Sequence, residues 1–155
     1  METLPAATQV LQTLLDRPEA DWDKVVDKDL GVNHVTAWRK INIEGKPSTA
    51  MQIKLIETFP EATPDQFWEL ATNFEKRKVW DTERAANAER LGDGENGGSI
   101  FHFDGKKPPI PMVSARDVVV NTYKDETTFG EGKRAFIMTS VEHESYPVKS
   151  DPVRL

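Results

Sequence analysis

The stretch GGSIFHFDGKKPPIPMVSARDVVVNTYK, residues 97–124, decides the fold of this chain. Ser99–Phe103 alternates in hydrophobicity and predicts a half-buried strand, with His102 on the outward face. Arg116–Tyr123 is rich in Val, Thr and Tyr, which suit a second strand. The period-two spacing places the following residues on the concave side of one sheet: Phe101, Phe103, Val118, Val120 and Thr122.

Between these strands, Pro108, Pro109 and Pro111 exclude regular strand pairing and predict a stiff loop. The loop also carries apolar residues that are unusual for a solvated segment, namely Ile110, Met112 and Val113. Two interpretations stay open. The loop either touches or covers something outside the fold, or it folds back onto its own core.

Length and composition narrow the class of protein. The chain has 155 residues, enough for one domain with a hydrophobic core, and no apolar run long enough to cross a bilayer. It has no cysteine, and its N-terminus shows no secretory signal, so we expect a cytoplasmic protein. The net charge of −6 opposes long-range attraction to nucleic acid or to an anionic membrane. Any membrane contact must therefore be local and must involve the tip of the loop between the two strands, which carries Lys106 and Lys107.

The rest of the chain predicts helices and paired strands in alternating blocks. A helix is expected over roughly residues 5–16, and a short strand is expected around Trp22, Val25 and Val26. Alternation over residues 35–43 and 51–59 predicts a hairpin. A capping box, Thr63-Pro64-Asp65-Gln66, begins a helix that Asn73 interrupts.

Residues 85–92 fit either a helix or a strand, whereas residues 133–142 predict a strand. Strands joined by short turns, with the helices apart from them, indicate an α+β fold with an antiparallel sheet.

A search for reactive groups finds no catalytic set. The three histidines, His34, His102 and His143, lack the spacing of a metal site, and no phosphate-binding loop or nucleophile elbow is present. Glu57, which interrupts an apolar strand face, is the one candidate for a cavity acid. The apolar sheet face either packs a core or lines a ligand cavity.

Four short motifs occur in an order that resembles the steroidogenic-acute-regulatory-related lipid-transfer (START) family. They are Lys78-Val-Trp-Asp81, Arg116-Asp-Val-Val-Val120, Ser140-Val-Glu-His143 followed by Pro147, and Val153-Arg154. The resemblance runs from about Trp22 to the last residue. It implies a helix-grip fold, in which a curved antiparallel sheet wraps a long C-terminal helix and leaves a tunnel for one lipid. It also implies non-enzymatic binding and intermembrane transfer of a phospholipid, sterol or related lipid.

The chain departs from the family pattern in two ways. It stops before the family's C-terminal strands and helix, so we expect residues 1–155 to be one incomplete START-like domain, with a helix within residues 1–18. In sterol-binding members an acid–arginine pair often lies in the cavity, whereas the corresponding strand positions here are Phe103 and Thr122. Asp81 is expected to pair with a nearby base such as Arg116, or to cap a turn, while Trp80 fills the helix–sheet junction.

The resemblance assigns roles to the residues introduced above. Ligand contacts are expected at Phe101, Phe103, Val118, Val120, Thr122 and Arg116, and membrane or gate contacts at Ile110, Met112 and Val113. No catalytic residue, metal or cofactor is expected. The expected partners are a lipid, a transiently touched membrane, and either a second copy or another chain that completes the fold, with no nucleic acid.

Two alternative functions remain. One is a protein-interaction module that uses an open sheet face. The other is a cyclase or hydrolase of the helix-grip group that acts on a hydrophobic substrate.

Overall fold

The computed structural model describes residues 5–47, 50–82, 87–104 and 117–147. All strand pairs in these residues are antiparallel, so the predicted α+β class is confirmed. The helix-grip arrangement stays a prediction. The helices and strands of the described residues are α1 (Ala6–Leu15), β1 (Asp23–Leu30), β2 (Asn33–Lys40), β3 (Gln52–Glu57), α2 (Pro64–Thr72), α3 (Phe74–Trp80), β4 (Glu89–Asp93), β5 (Ser99–Asp104), β6 (Asp117–Asp125) and β7 (Ala135–Ser140).

The chain divides into two compact units, each with its own sheet. Leu11–Phe67 contains a sheet with strand order β1-β2-β3. Met1–Val10 together with Trp68–Leu155 contains a sheet with strand order β4-β5-β6-β7. The single START-like domain over residues 1–155 stays a prediction.

The first sheet consists of two successive hairpins. Gly31, in the turn between β1 and β2, has a φ of +72°, a conformation that glycine adopts without steric strain. β2 and β3 then pair from Val35↔Glu57 to Lys40↔Gln52. The predicted hairpin is therefore confirmed. Its strands are shorter than predicted, since β2 stops at Lys40, just before Asn42 takes a left-handed conformation with a φ of +56°.

The two faces of this sheet carry different side chains. On one face, the indole of Trp38 is buried, and the ammonium groups of Lys24 and Lys54 lie 5.8 and 5.2 Å from its ring centroid. The other face carries Ile53 and Leu55, whose exposed fractions are 65% and 60%. This second face thus presents apolar side chains to the solvent.

Side chains cap the helices at their beginnings. The Thr63 hydroxyl accepts a hydrogen bond from the Gln66 amide (3.2 Å), and the Gln66 side chain accepts one from the Thr63 amide (2.9 Å), so the predicted capping box is confirmed. Asn73 ends α2 as predicted. Its Oδ1 then accepts hydrogen bonds from the amides of Glu75 (3.1 Å) and Lys76 (3.2 Å), which begins α3.

The second sheet contains the stretch that the sequence singled out. β5 pairs with β6 along its whole length, from Ser99↔Thr122 to Asp104↔Asp117. The ambiguous residues 85–92 contain the start of a strand at Glu89, while residues 83–86 lie outside the described ranges. β7 lies within the strand predicted over residues 133–142.

One face of the second sheet is buried and is joined to α1 by a hydrogen bond. Val119 is inaccessible to solvent, and Tyr123 and Ile137 on the same face are buried. The Tyr123 hydroxyl lies 2.9 Å from Oγ1 of Thr8, which is also inaccessible. This face is therefore part of the core.

Candidate ligand-binding face

The opposite face of the second sheet collects the residues predicted to contact a ligand. Phe101 pairs with Val120, Phe103 pairs with Val118, and Thr122 pairs with Ser99. Directly opposed residues of an antiparallel pair project to the same side. The predicted common orientation of Phe101, Phe103, Val118, Val120 and Thr122 is therefore confirmed, and we call this set the phenylalanine face. Their predicted contact with a ligand stays a prediction.

Aromatic rings from two other elements pack against this face. Phe74, the first residue of α3, stacks on Phe101 with 3.9 Å between ring centroids. Its centroid also lies 5.5 Å from that of Phe103 and 6.1 Å from that of Phe136 on β7. Phe103 and Val120 are buried in this cluster. Part of the phenylalanine face thus belongs to the core. Packing a core was one of the two interpretations of this apolar sheet face, and lining a ligand cavity was the other.

Beside the aromatic cluster, the face borders a pocket of about 230 Å³. Phe74, Phe101 and Phe136 contribute apolar lining, and Ser99, Thr122 and Lys124 contribute polar lining. The turn between β4 and β5 forms one edge. A side chain at Gly98 would collide with the Thr122 carbonyl oxygen, only 2.0 Å from an ideal Cβ, so glycine allows this turn to approach β6.

An acid–arginine pair lies against the phenylalanine face, although the strand positions lack one. It comes from α3: Nε of Arg77 donates to Oδ2 of Asp81 over 3.1 Å, and the two side chains are 17% and 11% exposed. The Arg77 guanidinium lies 5.9 Å from the ring centroid of Phe103 and 3.9 Å from the Met138 sulfur. Arg77 and Asp81 thus bring a pair of charged groups to the end of the face that carries Phe103.

Only one member of this pair was predicted from the sequence. The basic partner suggested for Asp81 was Arg116, which lies outside the described residues, whereas the partner seen is Arg77. Arg77 and Asp81 are four residues apart on one helix, and this spacing could have indicated the ion pair. Trp80 was expected to fill the helix–sheet junction, but its side chain is 56% exposed, with the Arg77 guanidinium 5.8 Å from its ring centroid.

His102 projects to the face opposite that of Phe101 and Phe103, as predicted. The side chain is buried: the imidazole stacks on Tyr146 at 3.8 Å, and Nε2 lies 3.3 Å from Oδ2 of Asp117. The Tyr146 hydroxyl donates to Oε2 of Glu89 over 2.7 Å, and this hydrogen bond raises the pKa of the tyrosine. Alternation along the strand predicted the correct face for His102 but not its burial. The ring that covers His102 belongs to Tyr146, which lies in a turn after β7.

The other predicted site residues fall into two groups. The first group lies outside the described residues and consists of Lys106, Lys107, Ile110, Met112, Val113 and Arg116. The membrane or gate contacts and the ligand contact of Arg116 therefore stay predictions. Glu57, the candidate cavity acid, accepts a hydrogen bond from Nδ2 of Asn33 over 3.2 Å. That partner gives the carboxylate a structural role within the first sheet.

In residues 5–47, 50–82, 87–104 and 117–147, no group of three or more acidic, histidine or cysteine side chains is placed to hold a metal ion. No helix within the same ranges has the length and apolar character needed to cross a bilayer.

Comparison with known proteins gives two curated relatives of one kind. The chain is 28% identical over 137 residues to the StAR-related lipid transfer protein 7, mitochondrial, of Mus musculus, and equally so to that of Homo sapiens. The matched region covers 88% of this chain but 34% of each relative, so the chain spans about a third of their length. No protein-family model and no solved structure matches the chain.

Proposed function

We propose that this chain is a START-like lipid-binding module that carries a lipid without changing it chemically. The observation that carries the proposal is the phenylalanine face, where two phenylalanines, two valines and a threonine share one side of a sheet beside a pocket. Binding sites for small molecules are mostly apolar, with a few placed polar groups, and this surface has that character. The similarity to a StAR-related lipid transfer protein supports a lipid as the ligand.

The proposal includes the helix-grip fold and transient contact with a membrane. Along the chain, helices α2 and α3 follow one set of antiparallel strands and precede another, and this order is compatible with that fold. Membrane contact is assigned to Ile110, Met112 and Val113 on the sequence pattern alone. An absence of catalysis is also part of the proposal, and it accords with Glu57 being engaged by Asn33.

The direct test is native mass spectrometry of the chain purified from cells, combined with transfer of a fluorescent phospholipid between vesicles. We expect a co-purified species with the mass of a lipid and transfer faster than in protein-free controls. A chain that carries no lipid and does not accelerate transfer would refute the proposal.

A second candidate function is supported by the exposed apolar face of the first sheet. Val26 and Leu30 of β1 and Ile53 and Leu55 of β3 are 40–65% exposed on that face. Such exposed apolar surfaces mark interaction sites. In the same mass spectrum, a stoichiometric polypeptide in place of a lipid would favour a protein-interaction module.

A further inference from the structure

The pocket beside the phenylalanine face has the size of a single-chain ligand. Its volume of about 230 Å³ lies below the range of roughly 300–1,000 Å³ that drug-sized ligands occupy. The pocket is therefore small enough to suit a single alkyl chain.

The lining of the pocket is divided between aromatic and polar sides. Phe74, Phe101 and Phe136 form a continuous aromatic wall, because Phe74 packs against both of the other rings. The Thr122 hydroxyl already donates to the Ser99 carbonyl over 3.1 Å. An alkyl chain can thus lie on the rings without stranding a polar group of the protein.

Lys124 gives the pocket a positive edge. Its ammonium lies 5.9 Å from the ring centroid of Trp68, and no ion pair joins it to a carboxylate in the described parts of the chain. The guanidinium of Arg134 lies 5.8 Å from the same ring, although it is paired with Glu126 at 3.7 Å. The charge of Lys124 is therefore left for a ligand to neutralise.

The charge near the other end of the phenylalanine face is already neutralised. Arg77 has Asp81 as its partner at 3.1 Å, and its guanidinium is further engaged by aromatic rings. A negatively charged ligand therefore gains more at Lys124 than at Arg77, since no carboxylate must be displaced there.

We propose that this pocket binds a single-chain amphiphile with an anionic head group. The head group pairs with Lys124, and the alkyl chain lies against Phe74, Phe101 and Phe136. A carboxylate and a phosphate monoester share the required negative charge. The inference rests on the proposed lipid-binding function, because Phe101 and Thr122 belong to both sites.

The test is an NMR titration of the full 15N-labelled chain at low salt with octanoate, octyl phosphate and octanol. We expect the amide signals of Phe101, Thr122 and Lys124 to shift, and octanoate to bind about tenfold more tightly than octanol, as one charge-assisted contact provides. Octyl phosphate in the same titration shows which of the two anionic head groups is preferred.

Variants separate the charge of Lys124 from the general charge of the protein. Lys124→Gln should lower the affinity for octanoate to about that for octanol, and Lys124→Arg should retain the preference for octanoate. Lys133→Gln is the matched control, because it removes the same charge from an exposed residue outside the pocket lining. Lys124 is itself exposed, so each variant should keep the wild-type circular dichroism spectrum.

Three results would overturn the inference. They are equal affinity for octanoate and octanol in the wild type, a preference that survives in Lys124→Gln, and shifts confined to signals outside the pocket. If any of these occurs while a lipid still co-purifies with the chain, the proposed function stands and only the head-group assignment fails. If no lipid co-purifies either, both fail.

Discussion

At the scale of single residues, His34 holds two carboxylates of one hairpin. Its Nδ1 lies 2.7 Å from Oδ1 of Asp29, and its Nε2 lies 2.9 Å from Oδ1 of Asp27. Both ring nitrogens can donate only when the imidazole is protonated. The hydrogen bond to Asp29, followed by that to Asp27, raises the pKa of His34 above its usual 6.5.

This geometry predicts a pH-dependent contribution of His34 to stability. Because the folded-state pKa is raised, the contribution is complete below pH 6.5 and is lost as the pH rises through the folded-state value. His34→Gln should therefore lower the midpoint of urea unfolding more at pH 5.5 than at pH 8. A difference between wild type and variant that does not change with pH would contradict the assignment.

A second residue-scale prediction concerns the buried hydrogen bond between Thr8 and Tyr123. Thr8→Val removes the hydroxyl and leaves that of Tyr123 without this partner in a buried site, which costs about 1–3 kcal/mol of unfolding free energy. Tyr123→Phe in the Thr8→Val background should recover part of the loss, because no stranded hydroxyl remains. Additive effects in this double-mutant cycle, measured by chemical denaturation, would show that the two groups are not coupled.

At the scale of elements, local sequence rules predicted most of the helices and strands. The capping box at Thr63 and the helix break at Asn73 could be predicted from the sequence, because each depends on neighbours within three residues. The burial of His102 could not be predicted from the sequence, since it depends on Tyr146, which lies in a turn far along the chain. Likewise, spacing predicted the phenylalanine face, but the ring of Phe74 that covers it comes from another element.

The cap of α3 directly precedes Phe74, the residue that stacks on Phe101 of the sheet. Asn73 accepts hydrogen bonds from two amides of the first turn, so Asn73→Ala should destabilise the chain by about 1 kcal/mol. Asn73→Asp should retain stability, because aspartate is an equally good cap. The comparison is made by thermal denaturation, and equal melting temperatures for Asn73→Ala and the wild type would exclude a stabilising role for the cap.

At the scale of the whole molecule, the second sheet has one face committed to core and one face that combines packing with a pocket. Val119 and Tyr123 lie on the first, and the phenylalanine face is the second. The sequence predicted which residues share a side, because strand alternation is strict. It could not predict the hydrogen bond that joins Thr8 of α1 to Tyr123 on the buried face, since this contact links segments far apart in the chain.

This division predicts that substitutions on the two faces separate stability from lipid binding. Val119→Ala should lower the free energy of unfolding by about 2 kcal/mol, because a fully buried side chain is truncated, yet the folded molecules should bind lipid as before. Phe101→Leu keeps an apolar side chain and should cost less than about 1.5 kcal/mol. It removes a ring that lines the pocket and should weaken lipid binding by up to about tenfold. The measurements are urea denaturation and lipid binding at a temperature where both variants are folded. If the phenylalanine face were core alone, lipid binding by the folded Phe101→Leu chain would equal that of Val119→Ala.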